Sequence, residues 1–160
     1  MTESKTAASL VIDLPGEAAT ARLAGRLAAL LRPGDVVALH GGLGAGKTSL
    51  ARATIRALGD NAEVVPSPTF TLVQTYDLPE FTLWHFDLFR LKSPQDAFEL
   101  DIEEAFASGV SLIEWPDRLG QWLPLARLDI ALSFAGSGRR ATIAGHGDWM
   151  AEIAALEPDD

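Results

Sequence analysis

Apolar residues in this chain recur with two periods, and the switches between them mark out the elements. Leu10 and Ile12 alternate weakly with polar neighbours from Ser9 to Leu14, the period of a half-buried strand, which Pro15-Gly16 ends. From about Glu17 to Leu31 the period changes. Leu23, Leu27, Leu30 and Leu31 stand at i, i+4, i+7 and i+8 and predict a helix with one apolar face, stopped by Pro33-Gly34. Val36-Val37-Ala38-Leu39 is an unbroken apolar run, as in a strand buried on both faces. A glycine-rich turn follows, then a helical stretch from Lys47 to about Leu58, which Gly59 is suited to close in a left-handed conformation.

The second half begins β-rich, from Val64 to Tyr76, but Pro66 and Pro68 exclude a central strand around Ser67 and make that piece a loop. Phe81 to Asp87 is an apolar strand that finishes on an acid. Ser93-Pro94 has the form of a helix start, Ser as N-cap and Pro at the first helical position, and introduces an acidic helical region up to Phe106. Val110 to Glu114 is a second apolar strand finishing on an acid. Two further strands, Leu128 to Phe134 and Arg139 to Ala144, flank Gly136-Ser137-Gly138 as a hairpin, and Asp148 to Leu156 reads as a short helix. Early alternation of strands with helices and a late hairpin predict an α/β sandwich with a mostly parallel sheet and an antiparallel hairpin near the C-terminus.

The turn after the Val36 run reads His40-Gly41-Gly42-Leu43-Gly44-Ala45-Gly46-Lys47-Thr48-Ser49. This is the strand, loop and helix setting of a phosphate-cradling P-loop, which makes the expected fold a three-layer sandwich of the P-loop NTPase type. Gly41, Gly42, Gly44 and Gly46 allow positive φ and a close approach of backbone N–H groups to phosphate oxygens, and Leu43, Ala45 and Ser49 complete the cradle. Lys47 would reach the β and γ phosphates and the Thr48 hydroxyl would ligate Mg²⁺, both in a helical first turn that already favours an anion.

Composition narrows the picture. The 160 residues fit one domain, spanning 1–160, with a real core; 48% hydrophobic and 22% charged residues are ordinary for a globular protein. No run approaches the ~20 apolar residues of a membrane span, and Met1-Thr2-Glu3-Ser4-Lys5 lacks the start of a signal peptide, so a cytoplasmic protein is expected. The absence of cysteine excludes disulfides and thiolate metal sites, the three scattered histidines show no zinc-type spacing, and any metal should be a hard one held by oxygen. Of 13 basic residues only Lys5, Lys47 and Lys92 are lysines, so a chain that prefers arginine has put a compact charge in the loop. A net charge of −9 argues against direct nucleic-acid binding and for a basic protein partner. The acids Asp96, Glu99, Asp101, Glu103 and Glu104 read as a solvated helical face or a docking face.

In open α/β sheets, ligands lie beyond the carboxyl ends of the strands, where Asp87 and Glu114 stand. Asp87 follows Leu83-Trp84-His85-Phe86 as a Walker B acid would. Glu114 would complete a Mg²⁺ shell or orient the attacking water, and the residues leave open which acid contacts the metal. His85, two residues before Asp87 on the same strand face, is either a partner of that acid or a satisfied core histidine. Thr69 sits where a switch-type threonine would sense the γ-phosphate, or is a plain loop residue. Trp115 faces away from Glu114 if the strand continues, towards the core or a partner. A guanine-specific element of the N-K-x-D type is missing, since the only asparagine, Asn61, precedes Ala62; ATP is therefore the expected nucleotide. A small-molecule kinase on the same scaffold is the alternative, with Arg118 and Arg127 around Trp122-Leu123-Pro124 as its candidate lid.

Taken together, G-G-L-G-A-G-K-T at 41–48, S-P-T-F-T-L-V at 67–73, H-F-D-L-F-R-L at 85–91 and L-I-E-W-P at 112–116 resemble the TsaE (YjeE) family, small bacterial ATPases of tRNA threonylcarbamoyladenosine biosynthesis. The resemblance implies an ATPase that works with the TsaB and TsaD proteins, with Thr48 and Glu114 as Mg²⁺ ligands, Asp87 as the Walker B acid and Arg140 close to the nucleotide. It also isolates a departure. The family loop usually reads G-D-L-G-A-G-K-T-T, whereas this chain has Gly42 and Ser49 in place of the acid and the second threonine.

Overall fold

The computed structural model describes residues 7–59 and 72–158. Its centre is one seven-stranded sheet. Four adjacent strands are parallel: β2 (Val36–His40) lies between β5 (Val110–Glu114) and β6 (Leu128–Ala135), and β4 (Thr82–Asp87) lies outside β5. Antiparallel strands finish both sides. β7 (Gly138–His146) forms the expected hairpin with β6 and pairs on its other edge with β1 (Ala7–Leu14), while β3 (Val73–Asp77) pairs with β4.

Alternation along the strands sends apolar side chains to both faces. Val37, Leu39, Leu83, Leu112, Leu128 and Ile130 meet Leu23 and Leu27 of α1 (Glu17–Leu30) and Leu50 and Ile55 of α2 (Lys47–Leu58). Val36, Phe86 and Ile113 pack on the other side against Ile102 and Ala105 of α3 (Ile102–Ser108). This is the three-layer arrangement expected for a P-loop fold. The C-terminal piece, α4 (Trp149–Glu152) continued by a 3₁₀ turn to Leu156, buries Trp149, Ile153 and Leu156 in the α1 layer.

Local readings were corrected in three places. Gly59 does cap α2 through its N–H to the Ile55 carbonyl, but with extended backbone (φ −114°), not a left-handed one. The acidic region after Ser93 divides into a 3₁₀ turn, Pro94–Leu100, and α3, because Asp101 adopts φ 60° between them; Ser93 makes no side-chain capping bond. The strand ending at Glu114 does not run on into Trp115. The loop around Ser67 and the switch-like Thr69 lie outside the described residues.

Candidate functional site

β2 ends at His40, and the chain must reverse into α2 within six residues. Gly41 makes this possible: at φ 138° its hydrogen faces the β6 backbone, where an added Cβ would stand 2.6 Å from the Leu132 carbonyl oxygen. Gly42 differs from its neighbours. Its φ is not positive and a Cβ there would meet nothing within 4 Å, so the conformational role read for it from sequence belongs to Gly41, Gly44 and Gly46.

The helix begins on Lys47, which is almost wholly buried. Its ammonium donates to the carbonyl oxygens of Gly41 (2.5 Å) and Gly42 (2.9 Å) and lies 4.0 Å from the centre of the Trp115 ring. Burial pushes the Lys47 pKa down, opposed in part by the charges of Glu114, Asp87 and Asp117. A buried ammonium held by neutral carbonyls and an aromatic face is under-compensated, and an anion would complete it.

Both acids stand beside it. Asp87 and Glu114 end adjacent parallel strands in register and are buried. The Thr48 hydroxyl donates to Glu114 Oε1 at 2.8 Å, and the His85 ring nitrogen Nε2 bonds Glu114 Oε2 at 2.7 Å. His85 thus partners Glu114, diagonally across the sheet. Asp87 Oδ1 instead accepts the Phe89 N–H at 3.1 Å. Leu43 to Ser49, Asp87, Phe89, Glu114, Trp115 and Arg139 line a cavity of about 280 Å³, and a groove of about 520 Å³ continues from it between Pro15–Glu17, the exposed side of α2 and Gly138. Thr48, Asp87 and Glu114 supply hard oxygen donors, the chemistry Mg²⁺ requires. Among the described residues no group of three or more His, Asp or Glu side chains forms a metal cluster; Mg²⁺ keeps several waters and phosphate oxygens and needs only one or two protein ligands.

Two residues take parts that sequence reading missed or misassigned. Trp115 turns at φ 60° into the cavity, where its ring meets Phe89 at 4.9 Å between centroids. The signal was Pro116, which cannot continue a central strand. Arg139, not Arg140, meets the loop: its guanidinium donates to the Gly44 carbonyl at 3.1 Å and stacks over Phe134. Arg140 points to the opposite face of β7 and pairs with Asp13 of β1 at 2.9 Å. Strand parity carried the information, because buried Ala141 and Ile143 share a face with Arg139.

The model of one family, described as threonylcarbamoyl adenosine biosynthesis protein TsaE, matches residues 14–142, a span that contains every part of this cavity. The chain belongs to the TsaE family. It is 41% identical over 128 residues to the tRNA threonylcarbamoyladenosine biosynthesis protein TsaE of Rickettsia bellii, covering 79% of this chain and 88% of the relative. The Bacillus subtilis TsaE is 37% identical over 121 residues, 76% of this chain and 75% of the relative. Among solved structures, Bacillus subtilis YdiB superposes with a TM-score of 0.74 at 28% identity, covering 94% of this chain and 95% of that one. Membership of the TsaE family ties the chain to threonylcarbamoyladenosine biosynthesis. Among the described residues, no helix is long and apolar enough to cross a membrane.

Proposed function

We propose that this TsaE-family chain binds ATP with Mg²⁺ over the glycine-rich loop and hydrolyses it slowly, as a subunit acting with TsaB and TsaD in the cytoplasm. One observation carries the reading. Lys47 and Thr48, Asp87, and Glu114, from three separate segments, line one cavity at the carboxyl end of the parallel strands.

Phosphate oxygens are stronger acceptors for Lys47 than the two loop carbonyls, so the ammonium exchanges the latter for the former when the triphosphate binds. The nucleoside end lies in the adjoining groove. Thr48 and Glu114 would hold Mg²⁺, with Asp87 completing its shell or orienting water, and the ion when bound would supply neutralisation of phosphate charge. Glu114 accepts the hydrogen bond of the Thr48 hydroxyl, which leaves the hydroxyl lone pairs free for a cation. Arg139, at the loop's rim, is placed to meet charge on the phosphates. The net charge of −9 fits a subunit that leaves tRNA to its partners. The kinase alternative gains nothing from its candidate lid: Arg118 lies over the Phe89 ring, and Arg127 is bonded to Asp129 and to the Pro124 carbonyl.

The test is phosphate release by the purified chain, alone and with TsaB and TsaD. Alone, turnover is expected on the order of 10⁻⁴ to 10⁻² per second, as for P-loop proteins without a supplied activating group. Stimulation by the pair supports the reading; a fast rate without partners, or phosphate transfer to a metabolite, overturns it.

A further inference from the structure

His85 is fully buried in β4, yet among the described residues only one of its ring nitrogens has a partner: Nε2 bonds Glu114 Oε2 at 2.7 Å, and Nδ1 is buried with none. An imidazole with an unsatisfied nitrogen is a costly way to fill a place beside Leu83 and Leu112, where an apolar side chain would pack at no such penalty. The bond to Glu114 is what the histidine supplies. Since an ionised carboxylate only accepts, Nε2 carries the hydrogen of that bond.

The consequence falls on Glu114. Thr48 bonds one oxygen and His85 the other, so the carboxylate is gripped from both sides and its plane is set. Each oxygen still has a lone pair to give. Without His85, the side chain could turn about its last torsion and lose its alignment with the Thr48 hydroxyl.

We propose that His85 is a positioning residue, holding Glu114 through the Nε2–H bond in the orientation that serves Mg²⁺ on the bound nucleotide. This rests on the proposed Mg·ATP reading, and the experiment separates the two. ADP affinity is measured by calorimetry on the full chain, with Mg²⁺ and with EDTA, for wild type, His85→Phe and His85→Gln. Loss of a hydrogen-bond partner behind a metal ligand typically weakens metal binding roughly 10- to 100-fold. His85→Phe should therefore cut the Mg²⁺-dependent gain in affinity by about tenfold or more, leave Mg²⁺-free affinity within about twofold, and be rescued in part by His85→Gln, whose amide can donate.

An unchanged Mg²⁺ gain in His85→Phe, or an equal loss with and without Mg²⁺, overturns the positioning role. If His85→Phe does not fold, the same titration on His85→Gln in wild-type and Glu114→Ala backgrounds decides: an effect present only with Glu114 supports the proposal, and an equal effect in both overturns it. A wild type that binds no ADP, or binds it without regard to Mg²⁺, overturns the Mg·ATP reading itself.

Discussion

Asp87 and Glu114 are register partners, the last residues of two neighbouring parallel strands. Two buried carboxylates at the same level, with the Lys47 ammonium beside them, form a charge cluster for which packing alone gives no reason. The strands bring to one place residues separated by 27 positions, and the α2 N-terminus adds Thr48 from a third segment.

The acids should separate binding from chemistry. Asp87→Asn and Glu114→Gln keep the size of each side chain and remove a charge, so nucleotide should still bind in the absence of Mg²⁺ while hydrolysis falls by about 10² or more, the scale of losing a water-activating or charge-stabilising group. Single-turnover phosphate release measures this. Undiminished release in either variant would remove that acid from the chemistry.

Lys47 should trade stability for function. Burial lowers its pKa, so the folded state prefers the neutral amine more than the unfolded chain does. Wherever the lysine is charged in both states, below the folded pKa, its charge therefore costs stability. Lys47→Met is expected to raise the melting temperature while weakening ATP binding roughly ten- to a hundredfold through lost charge-assisted hydrogen bonds. Calorimetry and a thermal melt on one sample check both halves; unchanged ATP affinity would sink the phosphate-loop assignment.

Gly41 and Gly42 should respond in opposite ways. Gly41→Ala forces a Cβ against the Leu132 carbonyl at a φ that side chains rarely adopt, and should lower the melting temperature by at least about 4 °C. Gly42→Asp places the usual family acid where there is open space, and should shift the melt by less than about 2 °C. A large loss in Gly42→Asp would mean that the loop demands glycine there after all.

Asp129 anchors the far side of the sheet. Burial raises its pKa, but hydrogen bonds from His40 and Arg127, the Arg127 charge and a hydrogen bond from His146 outweigh this and hold the carboxyl well below the usual range. A depressed folded pKa means a contribution fully present above the ordinary carboxylate pKa of about 4 and lost as pH falls through the folded value. Urea denaturation should show Asp129→Asn less stable than wild type at pH 7, with the gap closing below pH 4. A gap independent of pH would point to packing, not charge.

Much of this was legible from residue order alone. The glycine loop followed by Lys47 and Thr48, the apolar strands ending on Asp87 and Glu114, and the hairpin at Gly136 rest on short-range rules: backbone freedom, side-chain period, turn chemistry. Those rules act over a few residues, and so they survive without knowledge of the fold. Where they met competing long-range packing they slipped, as at Asp101, where the acidic helix breaks, and at Gly59, whose helix ends in extended backbone.

Partners lay beyond local rules. From its strand His85 read as a partner of Asp87 or a satisfied core histidine, and the register of β4 against β5 delivers its ring to Glu114. Trp115 would face away from Glu114 if its strand continued, but the turn before Pro116 swings it over Lys47. Of two adjacent arginines, β7's pairing with β1 and β6 gave Asp13 to Arg140 and the loop to Arg139. The glycine loop and its Lys47-Thr48 were thus written in consecutive residues. The site's completion, the choice of which buried side chain meets which, depended on sheet register and burial, because hydrogen bonds and ion pairs form across distances in space that residue order does not encode.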